Sequence, residues 1–547
     1  MSLDRVAARL GRSVGVDPII IGIIIFFVVH MLIRIFGTSN YSVDDTETAI
    51  HTQVFQLYYS LRNPPLFNWM FFGFSQLIGI SLISMQILKT LLLTGAGVFF
   101  FLAARPAFRH RAALHAAIVS YGATAFYGWD IFQQFSHTIT LVFSMAFTFW
   151  AFMRLVRFAR TIDYVYLGVG LGLGLLSKYL FALYFIALLI ASLRLPSYRS
   201  AVLSWRIVLT FIVGLIVVSP LLFGLSDAIS AMFSTVGGRV AGSKSWPDLG
   251  SMAYIFVLTA EFWLPFVIIL WVSLVRWPAT SPAGDGVDQS YSPEKVDENF
   301  YPLVRDATLF MVIAVLAGVL FLGTSITGGR YLVSILSLLP LAIFAAIDRQ
   351  PAFPALAMHH FWRGAIVFII GLAIVRFAIF LFTSPPFCVP RCKVFVDYTP
   401  VVEKLVKADG KQTVILPAEV HLGSNLLRMI PNARVVMDTY TGGSELGIAD
   451  PGERNCYLVW FKQYRKKKDE MTLEGAMHRN LRRPPVDADL AAVESVVYVA
   501  VDWQTKVLWE WGPDTIVGVA TLDSSAQICE GGRIPGLSAP PSNNSFQ

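Results

Sequence analysis

Charge is scarce in this sequence. Of 547 residues only 14% are Asp, Glu, Lys or Arg, against 55% hydrophobic residues, and a chain so poor in charge does not read as a soluble globule. Cysteine is equally sparse: four are present, at positions 388, 392, 456 and 529, all after the last long apolar run. No small-residue cleavage site follows the first apolar run, so it reads as an uncleaved signal anchor and not as a removable signal peptide. No internal repeat is evident. Charges lie at the ends of the apolar runs, which argues against the broken helices and mid-span charges of a transporter or flippase. The formal balance of +7 needs no nucleic acid to explain it.

What the chain does have is apolar length. Runs near 18–36, 83–104, 112–128, 137–156, 163–176, 179–195, 206–225, 252–275, 307–323, 331–347 and 361–383 predict an α-helical polytopic membrane protein with about 11 transmembrane helices. Arg5, Arg9 and Arg12 precede the first run. Arg105, Arg109 and Arg111 follow the second, Arg154, Arg157 and Arg160 the fourth, Arg194, Arg199 and Arg206 the sixth, Arg276 the eighth and Arg349 the tenth. All fall on one side, expected to be cytoplasmic, and an odd count then puts the C-terminus outside. Residues 66–82 are apolar and aromatic. Counting them as a span would invert every later loop, so they read as an interfacial helix. The loop at 278–306 is polar and rich in helix breakers, with no chemistry assigned to it.

After Ser384-Pro385-Pro386 the composition turns soluble. Short β-rich runs at 412–420, 432–440, 456–461, 495–503 and 515–523 alternate with helical stretches at 399–408 and 421–430, which suggests a small α/β domain. The expected division is 1–383 in the membrane and 384–547 as an extracytoplasmic domain. Cys388-Val-Pro-Arg-Cys392 is a short loop that suits a disulfide, leaving Cys456 with Cys529. A zinc site is the other reading of Cys-x3-Cys, but no partner pair at ligand spacing completes it. Disulfides would require an oxidising compartment. The run Arg465-Lys466-Lys467-Lys468 reads as a solvated face, or as a surface for anionic lipid or an anionic acceptor.

One segment outside the spans is dense in charge. Residues 40–69 hold Asp44, Asp45, Glu47, His51 and Arg62 directly after the first span, and Pro64-Pro65 stiffens the backbone beside them. A carboxylate at the edge of hydrocarbon is costly unless it meets a cavity, a counter-ion or a headgroup, so these acids are functional candidates. Apolar residues from Ile50 to Tyr58 suggest an amphipathic helix from Thr46 to Leu61 lying along the membrane.

Val43-Asp44-Asp45-Thr46-Glu47 and Pro64-Pro65-Leu66 through Trp69 resemble the first external loop of the GT-C glycosyltransferases. The likeness is to the branch of protein O-mannosyltransferases and lipid A aminoarabinose transferases, and within it to rhizobial lipopolysaccharide galacturonosyltransferase-like members. It implies an inverting transfer of a sugar from a polyprenyl-phosphate donor to an envelope glycolipid, lipopolysaccharide core or lipid A, on the outer face of a bacterial inner membrane. Protein O-glycosylation is the alternative. Asp44 aligns with the first acid of the family loop and is the expected base. Asp45 and Glu47 would orient the acceptor or act on Asp44 by like-charge proximity, or else cap the helix.

Such a transfer also needs positive charge for the departing phosphate, and outer-face cations are few. They are Arg62 beside Pro-Pro, Lys178 in the Leu-Ser-Lys-Tyr179 turn, Arg239 after Gly237-Gly238, and Arg330 after Gly328-Gly329. Lys178 and Arg330 also resemble family positions. Snorkelling to headgroups is their structural alternative. Between the third and fourth spans Asp130 and Ser136-His137-Thr138 stand where aminoarabinose transferases carry an acidic Asp-Pro, a departure that points His137 or Asp130 toward a different sugar or acceptor. A divalent metal held by the clustered acids is possible chemistry, but cationic side chains are the expected neutralisers. No further cofactor is implied; the partners would be the lipid-linked sugar, the glycolipid acceptor and membrane lipid.

Overall fold

A computed structural model describes residues 17–38, 40–60, 63–132, 135–225, 249–277, 296–322, 329–381, 392–437, 446–463, 470–481, 483–501 and 515–530. Its described residues fall into two compact units that are not contiguous in sequence. One draws on Met1–Met31, Ser60–Leu66 and Lys89–Ile374, the other on Leu32–Tyr59, Phe67–Leu88 and Val375–Gln547.

Among the described residues 7 helices are long and apolar enough to cross a membrane: Pro18–Gly37, Leu82–Ala107, Ser136–Phe158, Ile207–Gly224, Met252–Arg276, Phe300–Phe321 and Ala355–Phe380. Three of the remaining expected spans are shorter apolar helices, at Thr161–Ser177, Phe181–Leu193 and Leu332–Asp348. The run at 112–128 ends as a helix at Gly122. Thr124 then caps a separate turn, its hydroxyl accepting from the Tyr127 amide at 3.3 Å. Leu66–Ile78 is a helix of 13 residues, too short to span.

Within the first unit the Thr161–Ser177 helix is packed against both Ser136–Phe158 and Ile207–Gly224. Its glycines make this possible. A Cβ on Gly168 would lie 2.7 Å from the Thr210 carbonyl oxygen and from Val213, one on Gly172 would strike Val217, and one on Gly170 would lie 2.6 Å from the Thr148 hydroxyl. Small residues four apart let helix backbones approach where lipid supplies no hydrophobic drive. The C-terminal end of this helix, where Lys178 sits, is thereby fixed.

The second unit contains a 5-stranded sheet of order β2-β1-β3-β5-β4. Its strands are β1 Gln412–Pro417, β2 Arg434–Val435, β3 Arg454–Gln463, β4 Val493–Val501 and β5 Thr515–Leu522. β1 runs parallel to β2 and β3, and β5 is antiparallel to β3 and β4. β3 is apolar on both faces and buried on both, as expected of a covered central strand. Tyr457, Val459 and Phe461 enter one core with the helices Thr399–Leu405 and Val420–Met429, while Cys456, Leu458 and Trp460 enter the other. Gly518 pairs with Trp460 across β3 and β5 and leaves room for the indole. Cys456 and Cys529 are disulfide-bonded, tying the start of β3 to the turn after β5. Cys388, and with it any bond to Cys392, lies outside the described residues, as do the basic run 465–468 and most of the 278–306 loop.

Candidate functional site

The acidic segment folds as a helix, Val43–His51, shorter than the Thr46–Leu61 helix its apolar pattern suggests. Ser42 is the N-cap residue, and Asp44 and Asp45 occupy the first turn, where the exposed amides and the helix dipole favour carboxylates. The end is set by side chains. Thr52 donates its hydroxyl to the Thr48 carbonyl at 2.9 Å, and the Gln53 side-chain amide donates to the Ile50 carbonyl at 3.1 Å. Beyond it the backbone finds partners that a helix would not need: the Gln56 amide donates to the Tyr59 hydroxyl at 3.1 Å, and Trp69 Nε1 donates to the Gln56 carbonyl at 2.9 Å.

The helix separates its three acids. Asp44 and Glu47, three residues apart and so on one face, are partly exposed, whereas Asp45 is fully buried. The Ser42 hydroxyl donates to Asp45 Oδ2 at 3.2 Å, and the Asp45 carboxylate acts electrostatically on Arg34 and Tyr41. Among the described residues no group of three or more His, Cys, Asp or Glu side chains is arranged to hold a metal ion, and the buried turn of Asp45 removes the converging trio that the sequence offers.

Buried ring side chains stand at both ends of this helix. His51 is buried, stacks on Tyr59 at 5.2 Å between ring centroids, and accepts at Nδ1 from Asn68 Nδ2 at 3.2 Å. Burial pushes its imidazole down to about 3, so it is neutral at physiological pH. Tyr41 is also buried, and desolvation raises its hydroxyl well above the ordinary tyrosine value.

In the other unit a second constellation forms around Tyr331. Lys178 caps the C-terminus of Thr161–Ser177 and donates from Nζ to Thr138 Oγ1 at 2.6 Å. Its Nζ lies 5.9 Å from the Tyr331 ring centroid, and the Arg330 guanidinium carbon lies 5.4 Å from the same ring. Thr138 belongs to the first turn of Ser136–Phe158, entered through Phe135 at φ 76°, a left-handed conformation uncommon for a phenylalanine. His137 beside it is buried, Tyr179 is half-buried in the turn after Lys178, and Asp130 is half-buried in a one-turn 3-10 helix, Asp130–Phe132. Two cations beside one aromatic ring, with a hydroxyl and a helix N-terminus beside the lysine, form a group suited to an oxyanion such as a phosphate. Arg62 and Arg239 lie outside the described residues.

Sequence reading missed the ionisable groups inside the spans. Lys89 and Arg376 are each 2% exposed, and His30 at 1% stacks on Phe132 at 3.9 Å. Charges are therefore not confined to span ends. Each lies in a span of mean hydropathy 2.0 or more, where the surrounding apolar residues outweigh it in the average.

Comparison with known proteins accords with this architecture. The fold is similar to that of ArnT from Cupriavidus metallidurans, solved with undecaprenyl phosphate, which superposes with a TM-score of 0.57 over 92% of this chain and 97% of that chain, at 14% identity. Together with the long apolar helices, this fold marks the chain as a multi-pass membrane protein. Residues 62–223 match the family described as dolichyl-phosphate-mannose-protein mannosyltransferase. Among curated relatives, the lipopolysaccharide core galacturonosyltransferase RgtB of Rhizobium johnstonii is 26% identical over 424 residues, 76% of this chain and 82% of that protein. RgtA of the same organism is 28% identical over 251 residues, 44% of this chain and 50% of that protein.

Proposed function

We propose that this protein transfers a hexuronic acid, or a closely related sugar, from a polyprenyl-phosphate carrier to the lipopolysaccharide core or lipid A on the periplasmic face of the bacterial inner membrane. The observation that carries the reading is the Lys178–Thr138–Tyr331–Arg330 group, together with a partly exposed carboxylate pair on a short, anchored helix. Asp44 accepts the proton of the acceptor hydroxyl. The acceptor oxygen forms its bond to the anomeric carbon as the bond from that carbon to the phosphate oxygen breaks, with inversion. Lys178 and Arg330, with Arg62 and Arg239 as further donors, take up the charge on the departing polyprenyl phosphate. Glu47, on the same helix face as Asp44, orients the acceptor, whereas Asp45 holds the helix start beside Ser42. Asp130 and His137 are assigned to the sugar or acceptor. In this reading the N-terminus is cytoplasmic, and residues 384–547 lie in the periplasm, where the disulfide is stable.

The test is deletion of the gene in its host, complementation with wild type or Asp44→Asn, and mass spectrometry of envelope glycolipids. Loss of one sugar residue in the deletion, restored by wild type and not by Asp44→Asn at equal membrane abundance, is the expected result. Full restoration by Asp44→Asn refutes Asp44 as the base. The family match over residues 62–223 favours protein O-glycosylation as a second reading, which predicts unchanged glycolipids and a glycan lost from secreted proteins.

A further inference from the structure

The helix that bears Asp44 is built into the C-terminal sheet unit. At its entrance, the Tyr41 amide donates to Asn425 Oδ1 at 2.9 Å and Asn40 Nδ2 donates to the Val396 carbonyl at 2.6 Å. Asn425 is itself held, donating to the His421 carbonyl at 2.8 Å. Arg428, one turn along the same helix, reaches Asn40 Oδ1 at 3.4 Å and stands over the Tyr41 ring at 5.9 Å. At its exit, Gln53 bonds the backbone of Val435 in β2 twice, accepting from the amide at 2.8 Å and donating to the carbonyl at 3.0 Å. Just before the exit, Ile50 is buried within the sheet's own core, among Leu422, Leu426 and Val435.

We propose that the C-terminal sheet is a scaffold that sets the position of the acceptor-activating carboxylate, with Gln53 and Asn425 as its positioning residues. This rests on the reading of Asp44 as base. Three anchors, before the start of a 9-residue helix, at its penultimate residue and just past its end, leave it no independent freedom to rotate or slide. A displacement of about 1 Å at a reacting group costs on the order of 10²-fold in rate. The soluble region is therefore part of the catalytic apparatus, and the sheet cannot be removed without releasing the base.

The experiment uses the full-length protein in nanodiscs, with undecaprenyl-phosphate-linked galacturonic acid as donor probe and lipopolysaccharide from the deletion strain as acceptor. Gln53 is partly exposed, so Gln53→Met removes both bonds to Val435, and with them the bond to the Ile50 carbonyl, without introducing a new polar group; Gln53→Glu keeps the acceptor for the Val435 amide. Gln53→Met and Asn425→Ala should lower kcat by about ten-fold or more, up to the order of 10²-fold, with donor KM within about two-fold of wild type. Deuterium uptake across residues 43–51 should rise in both, and Gln53→Glu should recover part of each effect. Wild-type kcat, or unchanged uptake over 43–51, in Gln53→Met overturns the proposal, whatever becomes of Asn425→Ala. Asp44→Asn in the same assay separates the two readings: activity in that variant defeats the base assignment, while an inactive Asp44→Asn beside a fully active Gln53→Met defeats only the scaffold. If wild type does not use this donor, the exchange measurement alone decides the scaffold.

Discussion

Acid should loosen the Val43–His51 helix through one side chain, His51. Its imidazole is buried and held down at about 3, while an unfolded histidine titrates near 6.5, so between those values the unfolded state binds a proton that the folded state excludes. Stability contributed by the neutral ring is therefore complete above about pH 6.5 and falls as pH drops toward about 3. Integrating the linkage from pH 7 to pH 5 gives a loss of about 2 kcal/mol, with a limiting slope of about 1.4 kcal/mol per pH unit. The geometry explains the exclusion: a proton on Nδ1 would face the Asn68 amide donor 3.2 Å away. Thermal unfolding of the full chain in detergent at pH 7 and pH 5, for wild type and His51→Gln, isolates the effect. Wild type should lose about 2 kcal/mol more than the variant over that interval. Equal losses would refute the assignment of a neutral, proton-excluding His51.

Two other perturbations test separate parts of the structure. Replacing Cys456 with Ala removes a cross-link that closes 73 residues, and chain entropy sets the loss at about 4 kcal/mol; the melting temperature of the purified variant against wild type, without reductant, reads it. Lys178→Met should lower kcat/KM for the lipid-linked donor on the order of 10²-fold or more, as loss of an oxyanion-stabilising group does, while Thr138→Val, which removes only the hydroxyl that holds Nζ, should cost about ten-fold, in keeping with one hydrogen bond to a charged group; steady-state kinetics with varied donor distinguishes them, and equal effects would mean that Thr138 touches the donor itself.

How far these features were legible depends on the distance over which each is determined. The strands at 454–463 and 515–522 could be read because unbroken apolar runs bounded by polar turns are a local signal, and β3 realises it with both faces buried. The end of the acidic helix could not. Its apolar pattern continues past His51, and what stops it is Gln53, whose side chain is committed to Val435, 382 residues away in sequence. No local propensity encodes that bond. The same holds for Lys178: the Ser-Lys-Tyr turn is visible, but its hydroxyl partner Thr138 lies 40 residues earlier and meets it only because glycines let two helices close together.

The three acids show most plainly what a sequence withholds. Asp44, Asp45 and Glu47 are chemically near-equivalent as letters, and the rotation of one helix decides their different fates. That rotation follows from Ile50 entering the sheet core: Ala49 and Ile50 share the inward side with Asp45 and Thr46, which leaves Asp44 and Glu47 on the partly exposed side. An inward Asp45 is tolerable because Ser42 donates to it and Arg34 stands within its field, since a buried carboxylate without such partners would be costly. The apolar contact that selects the exposed acids is thus supplied by residues from the far end of the chain. Which of the three acids stays exposed is a property of the assembled unit and not of the motif alone.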